Sequence, residues 1–459
     1  MEWVKKKMTF EYALIGLGSN IGLSKLDNLS NSLYLIKNNK NISVHKVSST
    51  YFSNAQLPAN APKSWSKDFF NAAILISTSL SPDDLLLELK QIEKKSGRVA
   101  APDWSPRVID LDILFYGDYK IKNSNLNIPH EHVFDRPFAL VPAYEIIPKD
   151  MRSYFFQEKS NLVDNIIEKH NNDESIGFNT HKINQRIDNS KLMKIINVTP
   201  DSFSENNKNL KNISETIEKQ IQESILDGAH IIDIGAEATN PNIKYDIKQD
   251  LEWLRLDPVL NYIKKNKNIW SNKYGVRFSL DTRNHRTLSK SLSFDCIDFL
   301  NDVSGLCCKK MQSIVKDSQI SAIFMHSITV PADKSKIISF SDNPVSYIYN
   351  WAINHLEYLI NIGISKDKLI FDPGIGFGKN SLQSHDIIRN FNIFKKLGIQ
   401  LLLGHSRKSW LNNCISSSNS SSSLDQKDAL TAVSSILTKE ADILRVHNVK
   451  KHLEMFKLL

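Results

Sequence analysis

Lys368 to Pro373 read KLIFDP, an apolar run closed by an aspartate and a proline. Short apolar segments that end in loop-forming residues are characteristic of strands buried on both faces of a parallel sheet. The form recurs through the second half of the chain, in LMKIINV (192–198), HIIDIG (230–235), VRFSL (276–280), DFLNDV (298–303), SAIFM (321–325), QLLLG (400–404) and DILRV (442–446). Helix-length amphipathic sequence separates these runs, giving about eight strand–helix units, the number in a closed α/β (TIM, βα8) barrel, whose chemistry sits at the strand ends. Polar or charged residues stand after nearly every strand: Asn197, Thr239, Asp281, Asn301, His326, Asp372, Ser406 to Lys408, and Arg445 with His447. Any one of them could cap the next helix. So many amides, carboxylates and cations converging on one barrel mouth point to a functional site.

Working outward, residues 9–170 mix strand-like runs (YALIGLGS, NAAILIST, IDLDILFY) with helical ones (LDNLSNSLYLIKNN, SPDDLLLELKQIEKK), the pattern of a compact α+β unit. Residues 171–190, NNDESIGFNTHKINQRIDNS, are polar and lack apolar periodicity, and so read as a linker before a barrel over 191–459. The serine-rich tract SSSNSSSSLD (416–425) reads as a flexible loop without chemistry.

The chain has 459 residues, 41% hydrophobic and 24% charged, enough for two or more cores of ordinary globular composition. No apolar run is long enough to span a bilayer, and MEWVKKKMTF lacks the apolar stretch of a secretory signal, so a cytoplasmic protein without membrane contact is expected. Four cysteines (Cys296, Cys307, Cys308, Cys414) have neither CxxC nor framework spacing, which argues against structural zinc and disulfides. The balance of 58 basic and 50 acidic residues gives +8, spread along the chain rather than clustered, so nucleic acid is not an expected partner.

In PRVIDLDILFYG (106–117), Asp110 and Asp112 share one strand face while Ile109, Leu111 and Ile113 line the other. Two neighbouring carboxylates persist either as solvated groups on a half-exposed strand or with a cation between them, for which magnesium is the natural choice.

GLGSNIG (16–22), FFNAAI (69–74), SGRVAAPDWSPRVIDLDIL (96–114) and IPHEHVFDRPFAL (128–140), in that order, resemble 6-hydroxymethyl-7,8-dihydropterin pyrophosphokinase. The resemblance implies a ferredoxin-like α+β fold and transfer of diphosphate from ATP to the pterin alcohol. Asp110 and Asp112 would then hold Mg2+; Arg98, Arg107, His130 and Arg136 would clamp the triphosphate; Glu93 and Trp104 would lie near the nucleotide; Phe69, Asn71 and Phe138 would form the pterin slot. Ala100 and Ala101 stand where relatives can carry basic residues.

From Leu192 onward, NVTPDSFS, DIGAEATNP, SLDT, NDVSG, FMH, FDPGIGFGK, GHSRKS and RVHNV resemble dihydropteroate synthase. By that resemblance Asp281, Asn301, Asp372 and Lys408 hold the pterin. Asn197, Thr239, Arg445 and His447 hold the diphosphate, Asn197 through magnesium, while 4-aminobenzoate attacks. Lys408, Arg445 and His447 are the expected catalytic groups here, as Arg98, Asp110 and Asp112 are in the first half. Glu205 to Asn207 and Asn240 depart from the family's Asp-Gly-Gly and Arg, and Asn448 replaces a usual Asp. The combined expectation is a bifunctional enzyme acting on ATP, the pterin alcohol, its diphosphate and 4-aminobenzoate, with a homodimer through the barrel. The alternatives are a pyrophosphokinase fused to a non-catalytic pterin-binding barrel, suggested by the missing loop Arg, and a folate-dependent methyl-transfer barrel, which shares the DPGIG floor.

Overall fold

The computed structural model of the chain describes residues 10–22, 24–172, 176–183, 186–187, 190–198, 210–236, 249–333, 335–414, 423–438 and 440–456. It divides into two compact units, Met1–Asn189 and Ser190–Leu459.

The first unit is built on strands β1 (Glu11–Ser19), β2 (Ile42–Val47), β3 (Thr50–Ser53), β4 (Phe69–Thr78), β5 (Asp110–Tyr116) and β8 (His181–Ile183), with β6 (Ile121–Lys122) and β7 (Asn127–Ile128) as a separate ribbon. The sheet runs β5-β1-β4-β3-β8, and β2 also pairs with β4. Helices Lys25–Lys37 and Pro82–Lys95 form because a serine caps each: Ser24 accepts from the Asp27 N–H and Ser81 from the Asp84 N–H. They bury Leu29, Leu33, Leu85 and Leu89 on one sheet face, against Ile109, Leu111 and Ile113. Helices Pro137–Ile146 and Ser160–Asn172 cover Leu14, Ala73, Leu75 and Leu114 on the other. This is the expected α+β ferredoxin-like arrangement.

The segment 171–190 departs from its reading as a linker. β8 lies inside it and pairs antiparallel with β3, with Phe52 opposite His181 and Thr50 opposite Ile183. Residues 181–183 form an edge strand, which needs few apolar residues to be held by backbone hydrogen bonds.

In the second unit the eight expected strands are all present: β9 (Lys191–Asn197), β10 (Ile231–Gly235), β11 (Arg277–Asp281), β12 (Phe299–Asp302), β13 (Ser321–Met325), β14 (Leu369–Asp372), β15 (Gln400–Leu403) and β16 (Ile443–Val446). All are parallel, and β16 returns to β9 to close the barrel. Met193, Ile231, Phe299, Ile323, Ile370, Leu402 and Ile443 form an apolar cluster of their own, one residue from each of seven strands. Side chains two positions apart share a face. The next inward position is therefore Asp233 after Ile231, Asn301 after Phe299, Asp372 after Ile370 and Arg445 after Ile443. An apolar plug carries a polar layer directly above it.

Among the described residues no helix is long and apolar enough to cross a membrane. Phe299 is 2% exposed within the plug. Phe299→Ala should destabilise the barrel by about 3–5 kcal/mol, the usual cost of removing a buried Phe. Denaturant unfolding of the full chain should show the barrel's transition moving and the first unit's unmoved; a shift under about 1 kcal/mol would remove Phe299 from the plug.

Candidate functional site

Asp110 and Asp112 occupy the face of β5 that Leu114 shares, so the apolar end of that face is covered by helices and the acidic end is not filled. Their Cα partners on β1 are Gly18 and Gly16, which place no side chains beside them. A cavity of about 540 Å³ opens there, lined by both aspartates with Arg98, Arg107, His130 and Arg136.

Asp110 is tied to Arg98 at 2.6 Å and to Arg107 at 3.0 Å. Burial alone would raise the Asp110 carboxyl, but the guanidinium groups of Arg107 and Arg98 outweigh it and hold it below the usual range. Asp112 is pushed the other way, by burial and then by the charge on Asp110, with His130 opposing. One carboxylate is thus neutralised by arginines while its neighbour lacks equal compensation. His130 is held below its ordinary value by burial, with Arg136 countering the pull of Asp112.

Trp104 lines the same cavity, and its ring lies 5.5 Å from the Arg136 guanidinium. Glu93 lies beneath it. This side chain is 2% exposed and accepts from the Leu111 N–H at 2.7 Å and from Lys90 at 2.8 Å. It also pairs with Arg98 at 2.7 Å, so it fixes the arginine from below rather than facing a nucleotide.

Asn71 is anchored by its amide to Ser53 Oγ at 2.9 Å. A Cβ on Gly18 would stand 3.4 Å from Asn71 Oδ1 and 3.6 Å from the Phe69 ring, so the glycine leaves space where those two side chains meet. Phe138 stands at the start of helix Pro137–Ile146.

At the barrel mouth Arg445 bridges two carboxylates, with Nε donating to Asp233 at 2.6 Å and Nη2 to Asp281 at 2.6 Å. Burial would lower this guanidinium's pKa, but Asp233 and Asp281 raise it. Asn301 donates to the same Asp233 oxygen at 3.1 Å, while the other oxygen of that fully buried carboxylate has no partner among the described residues. Gly235 lies between Asn197 and Asp281 in register, and a Cβ on it would sit 3.1 Å from that of Asp281.

Asp372 ends β14 and accepts from the Gly374 N–H at 2.7 Å. Gly374 has φ +69°, and a Cβ there would lie 2.0 Å from the His326 carbonyl oxygen, so only glycine lets the loop turn. That turn aims the Ile375 carbonyl at Lys408 Nζ, 2.6 Å away, and sets the Phe377 ring 4.8 Å from it. Lys379, fully buried, closes the loop onto β13 by donating to His326 Nδ1 at 2.8 Å and to the His326 carbonyl at 2.9 Å. Burial lowers Lys408 to about 8 against the attraction of Asp372, and raises Asp372 against that of Lys408.

His447 Nδ1 lies 3.0 Å from Ser406 Oγ; burial, then Arg407 and Arg445, push it down to about 3, leaving a neutral imidazole. Arg407 is held bidentately by Asp428 at 2.6 and 2.7 Å, and Asn448 donates to the same carboxylate at 3.2 Å. Asn448 therefore supports that pair without bearing a charge. Asn197 ends β9; Thr239, Asn240 and Glu205 to Asn207 lie outside the described residues.

Residues 14–148 match the family of 7,8-dihydro-6-hydroxymethylpterin-pyrophosphokinases, and residues 193–447 match the pterin binding enzymes. The folate synthesis bifunctional protein of Chlamydia caviae is 31% identical over 455 residues, covering 96% of each chain. Its counterpart in Arabidopsis thaliana is 32% identical over 483 residues, covering 98% of this chain and 96% of that one. The chain belongs to the bifunctional folate-synthesis proteins. It is an enzyme with a pyrophosphokinase half and a dihydropteroate synthase half, and the alternative of a non-catalytic barrel has no support. Dihydropteroate synthase of Anaplasma phagocytophilum, solved with bound 6-hydroxymethylpterin-monophosphate, is 31% identical with a TM-score of 0.50 over 59% of this chain and 97% of that one. The Plasmodium falciparum HPPK-DHPS solved with pteroate, 20% identical, shares the fold over 98% of this chain and 95% of its own, with a TM-score of 0.52.

Asp233 and Lys379 carry much of the synthase geometry without having been singled out in the sequence. The inward alternation that selects Asn301 and Asp372 selects Asp233 equally. Asp233→Ala should leave Arg445 with one carboxylate and Asn301 without its acceptor, lowering dihydropteroate formation about ten- to a hundredfold, the scale of a charged hydrogen bond. Steady-state assay with added pterin diphosphate checks this, and an unchanged kcat/KM would detach Asp233 from the site.

Proposed function

We propose that the pyrophosphokinase half transfers diphosphate from ATP through the Asp110–Asp112 cluster, and that the synthase half condenses the product with 4-aminobenzoate at the Arg445–Lys408 cluster. The observation that carries the reading is the pair of half-buried aspartates facing a cavity that Lys90, Arg98, Arg107 and Arg136 also line.

The donor set fits magnesium. Two hard carboxylates share a strand face, and the charge of Asp112 is disfavoured by burial and by Asp110, both of which a divalent cation would offset. Among the described residues no group of three His, Cys, Asp or Glu could hold a metal, in keeping with an ion that takes one or two carboxylates and completes its shell with water and phosphate. Asp110 and Asp112 would hold it, and when bound it would neutralise phosphate charge and orient the ATP chain. Arg98, Arg107 and Arg136 present N–H groups to phosphate oxygens. Phe69 and Phe138 stack on the pterin while Asn71 reads its amide edge. The alcohol oxygen attacks the β-phosphorus, its proton is lost, and the bond to the α-phosphate breaks to release AMP. Positioning and charge neutralisation supply the rate.

In the synthase half, Asp281, Asn301, Asp372 and Lys408 bind the pterin, carboxylates to ring donors and the ammonium to acceptors. The amine of 4-aminobenzoate forms the new C–N bond at the exocyclic carbon as the C–O bond to diphosphate breaks and the amine gives up a proton. Arg445, neutral His447 and the Asn197 amide stabilise the leaving group, and Asn197 would act through a magnesium ion.

Asp112→Asn should cut AMP release from ATP and the pterin alcohol by roughly a thousandfold or more, leaving condensation of added pterin diphosphate intact. Loss of both activities, or of neither, would contradict the assignment. Because burial disfavours its ammonium, Lys408 keeps its proton below about pH 8 and loses it above. Synthase kcat/KM should therefore fall as pH rises through about 8, and Lys408→Arg should move that fall to higher pH; a flat profile to pH 9.5 in the wild-type chain would remove Lys408 from pterin binding.

A further inference from the structure

The segment leading from the pyrophosphokinase half toward the barrel does more than complete a sheet. Phe178 precedes β8 by three positions, and its carbonyl accepts from the Asn54 N–H at 2.6 Å. Asn54 follows Ser53, the hydroxyl that anchors Asn71. The Phe178 ring meets the Phe138 ring edge to face, with centroids 5.6 Å apart at 71°.

Two further contacts hold the segment in place. The His181 ring stacks on Phe52 at 4.8 Å. Lys182 donates to Glu145 at 2.8 Å, and that carboxylate also accepts from Ser49, just before β3, and from Tyr51 on it. Phe178 and Asn179 both have left-handed φ, +58° and +50°. A bulky side chain holds that conformation only when its surroundings over-determine it, and such residues gather at ligand clamps.

We infer that Phe178 is a positioning residue of the pyrophosphokinase pterin site: its ring fixes the orientation of Phe138, the face on which the pterin plane stacks. This rests on the assignment of Phe138 to the pterin slot. Phe138 stands at the first turn of its helix, where an unbraced ring turns freely about χ1 and χ2. An edge-to-face partner removes that freedom before the ligand arrives, which strengthens binding without touching phosphoryl transfer. The stretch of chain that leads into the second enzyme is thereby a working part of the first one's substrate site. Binding is reciprocal, so pterin in the slot should steady residues 178–183.

The test uses the full chain and pyrophosphokinase kinetics with the pterin alcohol varied. Phe178→Ala should raise KM for the alcohol about three- to tenfold, the worth of one aromatic pair. kcat, KM for ATP and the condensation of added pterin diphosphate should stay within about twofold. Phe178→Tyr should restore the wild-type KM, and Phe178→Leu, which keeps bulk without the ring, should not; the Leu variant also decides the matter if the Ala variant misfolds. Hydrogen exchange at residues 178–183 should slow on addition of the pterin alcohol. An unchanged KM in both Ala and Leu variants, or an equal loss for both substrates, overturns the inference. Phe138→Ala is the control: if it leaves KM for the alcohol unchanged, the slot assignment itself fails and the inference falls with it.

Discussion

Arg445 reaches from β16 to the carboxylates of β10 and β11, and this bridge is the constraint around which the synthase mouth is arranged. A carboxylate as buried as Asp233 is tolerable only with a cation beside it, and the half-buried guanidinium of Arg445 supplies that cation. Replacing such a cluster by apolar side chains often costs a fold nothing. On the proposed reading, the charge above this apolar plug serves binding. The pyrophosphokinase half follows the same logic, with Arg98 pinned between Glu93 and Asp110 and with Arg107 closing the pair.

On the proposed assignment, the two halves receive the same heterocycle by different means. The first offers aromatic faces and one amide on a sheet whose glycines leave room, beside a cavity rich in cations. The second offers carboxylates, an amide and an ammonium whose charges balance within a buried layer. The difference follows the chemistry, since the first must hold ATP phosphates next to the pterin, whereas the second must let a diphosphate depart. Tethering the two raises local concentration only modestly for a product that diffuses quickly, so the fusion by itself does not imply transfer between sites.

Much of this was legible in the sequence because period-two alternation is a local property. It puts Asp110 with Asp112, and it puts each inward polar residue one step above an apolar one, so all eight barrel strands and most of the mouth could be read directly. What escaped depends on distant partners. Asp233 sits inside HIIDIG like any strand residue, and its role depends on Arg445, 212 positions away. The burial of Glu93 likewise escaped, because family position carries no information on burial; its contacts are with the Leu111 N–H, Lys90 and Arg98. Residues 176–183 looked like a linker because an edge strand needs little hydrophobicity, and only the placement of Phe138 and Phe52 shows what they pack on.

The central claim is that one chain carries two separate, successive active sites, each organised by its own carboxylate–cation cluster. It is tested most directly by mixing two full-length variants, Asp112→Ala and Lys408→Ala, with the pterin alcohol, ATP, magnesium and 4-aminobenzoate, and following dihydropteroate. Each variant alone should produce little, the first for want of pterin diphosphate and the second for want of condensation. Together they should recover most of the wild-type output, since the intermediate made by one chain is free to reach the other. A mixture no more active than its components, or either variant alone matching the wild type, would contradict the account.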